Sequence, residues 1–211
     1  MLSRTVLIVT PSRDLANLLA DALSEAGYGA QVSEDRQTAL RLADECVVDC
    51  VLIDWDAGEA FGRRLMSDLA AWGPAVPKII LSSSENLRSA VLAFKTGASD
   101  LLEKPLSPGD LRPAIDEAIT RTARSTQLAR DIAGARRALA GLSEREQQMV
   151  AGIVAGLTSR EIADAVGISV RTVETSRTRL LGKVGVPNTA ALVRLAVLAG
   201  LTSLAREPVE A

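Results

Sequence analysis

The first half of the chain alternates short continuous apolar runs with longer amphipathic stretches. Residues 6–9 (VLIV) are apolar throughout and of strand length. Residues 14–26 place Leu15, Leu18, Leu19, Ala22 and Leu23 at helical spacing, with Gly27 as the stop signal. The alternation then repeats. It predicts further strands at 30–32, 50–53, 78–81 and 100–102, and helices at 36–44, 59–72 and 85–95, with Gly73-Pro74 and Gly97 ending two of them. Ser107-Pro108-Gly109-Asp110 supplies an N-cap with proline at the first helical position and opens a fifth helix. The run CVLI at 50–53 is apolar at every position, as in a parallel strand buried on both faces. Repeated βα units imply a doubly wound, five-stranded parallel sheet with helices on both faces.

From Gly141 onward only helical patterns remain. Ser143 with Glu146 and Thr158 with Glu161 form capping boxes, and Ser169, three positions before Thr172, caps the next helix. Gly156 and Gly167 close the preceding helices, and Gly185-Val186-Pro187-Asn188 separates the last pair, giving an all-α four-helix domain. Helices predicted at 159–166 and 170–184 are joined by the tight turn Gly167-Ile168-Ser169, which is helix-turn-helix spacing. Between the two halves, Leu128, Ile132, Ala135 and Leu139 share one helical face among interleaved arginines. Three roles stay open for this segment: a short coiled-coil dimer contact, a helix packed on its own domain, and a charged linker. The expected organisation is therefore 1–122, a linker at 123–140, and 141–211.

Composition narrows the class. Of 211 residues, 47% are apolar and only 2% aromatic, so the cores are aliphatic. No apolar run approaches the ~18 residues of a membrane span, and the N-terminus lacks a signal-peptide layout, so a cytoplasmic protein is expected. There is no histidine, and the two cysteines, Cys46 and Cys50, lack metal-site spacing. They are expected to be buried small apolar side chains. Without a histidine base, a Gly-rich phosphate loop or paired catalytic carboxylates, an enzyme is not expected. The net charge of −2 hides an asymmetry. Residues 1–122 hold 12 Lys/Arg against 18 Asp/Glu, and residues 123–211 hold 12 against 8, so the second half favours an anionic partner.

In doubly wound folds the site lies beyond the carboxyl ends of the strands. Those ends carry Thr10 and Pro11, Asp54 and Asp56, Ser82 to Ser84, and Lys104-Pro105. A carboxylate, a hydroxyl and an ammonium together suit acceptance of a phosphoryl group, with Asp54 as nucleophile and Lys104 and Ser82 gripping the oxygens. The stretches VDCVLIDWDAGEAFG (48–62), KIILSSS (78–84) and KTGASDLLEKPLSPGDL (95–111) resemble the receiver domain of two-component response regulators. The resemblance implies that Asp54 holds the phospho-acceptor position, Ser82 that of the switch hydroxyl, and Lys104 that of the invariant lysine, before a cis proline at Pro105. It also exposes departures. Thr10 and Pro11 replace the acidic pair that binds Mg²⁺, Leu101 replaces an aromatic switch residue, and Gly58 stands where a proline is usual. Only Asp54, Asp56, a carbonyl and water remain as metal ligands, so no cofactor is expected and Mg²⁺ binding is not supported. Two readings follow: a phosphorylated Asp54, or a standing Asp54–Lys104 ion pair in a degenerate receiver.

The stretch 142–186, which includes GLTSREIA and SVRTVE, looks like a LuxR/FixJ/NarL-type DNA-binding domain, with Ser176 in place of the usual histidine. The helix at 170–184 should face inward through Val173, Leu180, Leu181 and Val184. The resemblance implies a transcription factor of the FixJ/NarL response-regulator type. Its DNA-binding residues would be Arg171, Thr172, Glu174, Thr175, Arg177, Thr178, Arg179 and Lys183, with the arginines and Lys183 on phosphates. Leu192, Leu195 and Ala196 of the last helix, 189–198, would form a dimer contact. Double-stranded DNA, a second copy and a sensor histidine kinase are the implied partners. A partner-sequestering interaction protein is the alternative from another class.

Overall fold

The computed structural model describes residues 4–71, 76–83 and 93–201. The chain divides into two compact units, Met1–Thr126 and Gln127–Ala211. In the first, strands β1 (Thr5–Val9), β2 (Gly29–Ser33), β3 (Cys50–Asp54), β4 (Lys78–Ser83) and β5 (Asp100–Lys104) form one parallel sheet in the order β2-β1-β3-β4-β5. Helices α1 (Arg13–Glu25), α2 (Arg36–Glu45) and α3 (Glu59–Ala71) connect the early strands, and α4 (Pro108–Ala140) follows the last. The predicted helix at 85–95 lies outside the described residues except for its end at 93–95, as do Trp72 and the Gly73-Pro74 stop.

Strand alternation sorts the core into two layers. Val6, Ile8, Cys50, Leu52, Ile79 and Leu81 face Leu19 and Leu23 of α1 and Leu111, Ile115 and Ala118 of α4. Leu7, Val9, Val51, Ile53 and Ile80 face Ala39 of α2 and Leu65, Met66 and Leu69 of α3. Each fully buried aliphatic side chain contributes about 1.5–3 kcal/mol, so these layers carry the unit without aromatic help. Two details differ from the sequence pattern. Leu18 is half exposed, because the inward line of α1 runs through Ala16, Leu19 and Leu23. Cys46 is only partly covered at the end of α2; Cys50 is fully buried, and burial pushes its thiol up to about 12.

The second unit contains α5 (Glu144–Val154), α6 (Ser159–Val166), α7 (Val170–Val184) and α8 (Thr189–Ala199). Both capping boxes form: Ser143 and Thr158 accept from the N–H groups of Glu146 and Glu161, whose carboxylates reach back. The core gathers Met149, Val150, Ile153, Ile162, Val173, Leu180, Val184, Leu192 and Ala196, and Leu139 at the end of α4 joins it. Ala135 and Leu139 are buried, whereas Leu128 on the same helical line is half exposed. Among the described residues, no single helix is long and apolar enough to cross a membrane.

One buried charge opposes this packing. Lys78, at the start of β4, is 6% exposed, and among the described residues its ammonium has no carboxylate partner. Burial alone holds its pKa below the ordinary lysine value. The unfolded chain therefore binds the proton more tightly, and stability rises with pH from the depressed folded value up to the ordinary lysine range. We expect Lys78→Met to stabilise the protein by about 1 kcal/mol at neutral pH, and the gain to vanish in alkali. Thermal unfolding across pH checks both statements; a loss of stability at neutral pH would contradict them.

Candidate functional site

Sheet register assembles the pocket. Val9 pairs with Ile53, which brings Thr10 beside Asp54. Ser83 pairs with Lys104, which brings the ends of β4 and β5 level. Asp54 is 4% exposed. Its Oδ2 accepts from the Thr10 hydroxyl at 2.7 Å, and its Oδ1 accepts from the Lys104 ammonium at 2.6 Å and from the Asp56 N–H at 3.2 Å. Asp56 completes the cluster. The Lys104 Nζ lies 3.1 Å from Asp56 Oδ2, the Ser83 N–H donates to that oxygen at 3.0 Å, and the Ser82 hydroxyl donates to Oδ1 at 3.3 Å. The Lys104–Pro105 bond is cis. Pro11 is exposed beside the cluster, and Leu101 is half-buried against the core layer of Leu7 and Ile53.

The loop after β3 is fixed by two glycines. Gly58 has φ +130°, which proline cannot adopt, so the glycine there reflects a different turn rather than a neutral exchange. A Cβ on Gly62 would come within 2.6 Å of the ring of Trp55, which is itself buried. Gly62 thus allows Trp55 to anchor the short 3₁₀ turn Trp55–Ala57 that carries Asp56.

These donors do not suit a divalent cation. The Thr10 hydroxyl is turned onto Asp54, Pro11 offers no side-chain oxygen, and Lys104 lies between the two carboxylates. Mg²⁺ requires a near-octahedral oxygen shell. Among the described residues, no cluster of three or more His, Cys, Asp or Glu side chains could supply one.

In the second unit, α7 exposes Arg171, Thr172, Glu174, Thr175, Thr178, Arg179 and Lys183. Its inward line is Val173, Leu180 and Val184, with Leu181 packed beside them. The Thr172 hydroxyl bonds with that of Ser169 at 2.7 Å, and the Thr175 hydroxyl donates to the Arg171 carbonyl at 2.9 Å. The Lys183 ammonium is engaged by Glu146 Oε2 at 2.6 Å, an oxygen that also accepts from the Ser143 N–H at 2.7 Å. Lys183 and that N–H hold the Glu146 carboxyl below its ordinary value. The capping box signals Glu146 in the sequence, but nothing there marks its link to α7.

Two residue positions differ from the expectation. Arg177 does not flank the helix. It lies four residues after Val173 and three before Leu180, on the inward line; it is half-buried, and its Nε is buried without a hydrogen-bond partner. Leu192 and Ala196 are not available as a dimer surface: both are fully buried in their own core, and Leu195 packs against it. That line of α8 faces α5 and α7, and solvent meets Ala190, Arg194 and Val197 instead. Ser176 is half-buried.

A doubly wound sheet with an Asp–Lys–hydroxyl cluster at its strand ends, joined to a helix-turn-helix unit, defines a response-regulator architecture. Known proteins agree. The response regulator receiver domain family matches residues 6–116, and the luxR family of bacterial regulatory proteins matches residues 140–196. The transcriptional regulatory protein FixJ of Bradyrhizobium diazoefficiens is 34% identical over 192 residues, covering 90% of this chain and 91% of the relative. TdiR of Thauera aromatica is 30% identical over 90% of this chain and 83% of its own length. Full-length FixJ from B. japonicum superposes with a TM-score of 0.59 at 29% identity, covering 94% of this chain and 98% of that one. The response regulator StyR gives 0.67 at 25% identity, covering 92% and 98%. The chain belongs to the FixJ/NarL family of response regulators, which are DNA-binding transcriptional regulators.

A buried donor left without an acceptor costs about 1–3 kcal/mol. Arg177→Met keeps the length of the side chain and removes that donor, so we expect a gain of about 1 kcal/mol in unfolding free energy. DNA affinity should stay within about twofold of the parent, the range left when no phosphate contact is lost. A tenfold fall in affinity would restore the phosphate-contact role.

Proposed function

We propose that this chain is a FixJ-type transcriptional regulator whose receiver works without phosphorylation of Asp54. One observation carries the reading: the Asp54 carboxylate already accepts from Thr10, Lys104 and the Asp56 N–H, and Lys104 is shared with Asp56. A phosphoryl group would add negative charge beside Asp56. Two unit charges ~4 Å apart repel by about 4 kcal/mol at an effective dielectric of about 20, and no divalent-ion shell is at hand to offset it. The wild-type arrangement is a satisfied ion pair. It does not need a phosphate to be complete.

The second unit would place α7 in the major groove. Glu174, Thr175 and Thr178 would read base edges, with Glu174 accepting from a cytosine amino group. Arg171, Thr172 and Arg179 would hold phosphates, and Lys183 would join them by exchanging Glu146 for the backbone. Two copies would read a two-fold site, paired through the exposed face of α8 rather than its buried line. The protein would work in the cytoplasm, and a sensor histidine kinase would be dispensable for its binding state.

Incubation with phosphoramidate and Mg²⁺ should leave the full chain unlabelled. Stoichiometric label that disappears in Asp54→Asn would establish the conventional, phosphate-activated reading instead. The double substitution Thr10→Asp, Pro11→Asp should create Mg²⁺ affinity visible by calorimetry where the parent shows none; a silent double variant would refute our account of the missing ligands. On a duplex selected from a random-sequence pool, Arg179→Ala should reduce the slope of log K against log salt by about 1. A salt-independent parent would count against DNA binding through this face.

A further inference from the structure

We infer that the Asp56 carboxylate serves as an internal stand-in for a phosphoryl group, occupying the donors that would otherwise grip one. This deepens the phosphate-independent reading and rests on it. Three groups meet at Asp56: the Lys104 ammonium as an ion pair at 3.1 Å, the Ser83 N–H at 3.0 Å and the Ser82 hydroxyl at 3.3 Å, which Asp56 shares with the Ser83 carbonyl at 3.4 Å. An ammonium, a hydroxyl and a main-chain N–H are the groups an oxyanion attached to Asp54 would need, and they converge from the ends of two adjacent strands. Here they converge on a carboxylate that the chain itself supplies.

Its position is built rather than incidental. The Asp54 side chain accepts the Asp56 N–H, the buried Trp55 anchors the same turn against Gly62, and Gly58 closes it. The anion is therefore held two residues from the acceptor carboxylate by contacts on both sides. The Asp56 side chain is 24% exposed, so an anion from solvent can reach the same place once the carboxylate is removed. The consequence for regulation is direct. Ser82 and Lys104 are drawn to an anion that the chain itself carries, so no phosphoryl group is needed to hold them there.

The test is a titration of the full chain with inorganic phosphate, held below its second ionisation and read as melting temperature. Phosphate stabilises most proteins by exclusion, so the quantity of interest is the excess over the parent. Asp56→Ala should show a saturable excess rise of about 2–4 °C, and Lys104→Met in that background should abolish it. Asp56→Ser, which keeps a turn-forming side chain while vacating the carboxylate's place, should show the same excess if the alanine variant folds poorly. No excess in either variant, or an excess that survives Lys104→Met, would overturn the assignment. Labelling of Asp54 in the parent would defeat the phosphate-independent reading alone; the titration decides the role of Asp56 independently.

Discussion

Lys104 holds two carboxylates with one ammonium, at 2.6 and 3.1 Å, in a pocket where the Asp54 side chain is 6% exposed. Removing one partner of such a pair leaves an uncompensated buried charge, a cost of about 3–5 kcal/mol. The rest of the site is arranged around that constraint. Thr10 satisfies the outer oxygen of Asp54, the turn Trp55–Ala57 presents Asp56, and the β4 end donates to it through Ser82 and Ser83. None of these groups approaches through a flexible insertion. They are brought in by strand register, and strand register follows from the two apolar layers on either face of the sheet.

The sheet was legible because parallel central strands are apolar without interruption, as CVLI in β3 shows, and because Gly and Pro mark the breaks. Strand ends are less so: β3, β4 and β5 each run on into polar residues that pair as backbone, and the side chains of Asp54, Ser82 and Lys104 serve the site from there. The cluster at Asp54 could be named from residue types alone. Its wiring could not, since Asp56 reads as a surface turn residue until the turn is seen to be pinned by Trp55.

A sequence pattern is ambiguous where it has two physical explanations. An apolar line such as Leu192–Leu195–Ala196 is the same whether a second copy or the helix's own domain covers it; here α5 and α7 do. The charge of Arg177 suggests a flank position, but its spacing from Val173 and Leu180 sets it among the inward positions, where it is half-buried. Leu18 shows the converse: apolar character suggested burial, and its angle on α1 denied it. For Arg177 and Leu18 the helical angle is the better guide.

The two units also differ in how far apart in sequence their contacts lie. The first cannot close its sheet until β1, beginning at Thr5, has met β3, beginning at Cys50; in the second, α5 meets α8 over a similar separation, but α6 carries its own capping box and packs on its immediate neighbours α5 and α7. Non-local parallel pairing is slow and local helical packing is fast. Synthesis begins at the N-terminus, so the slower half leaves the ribosome first and has the longest time to find its pairing before the faster half emerges.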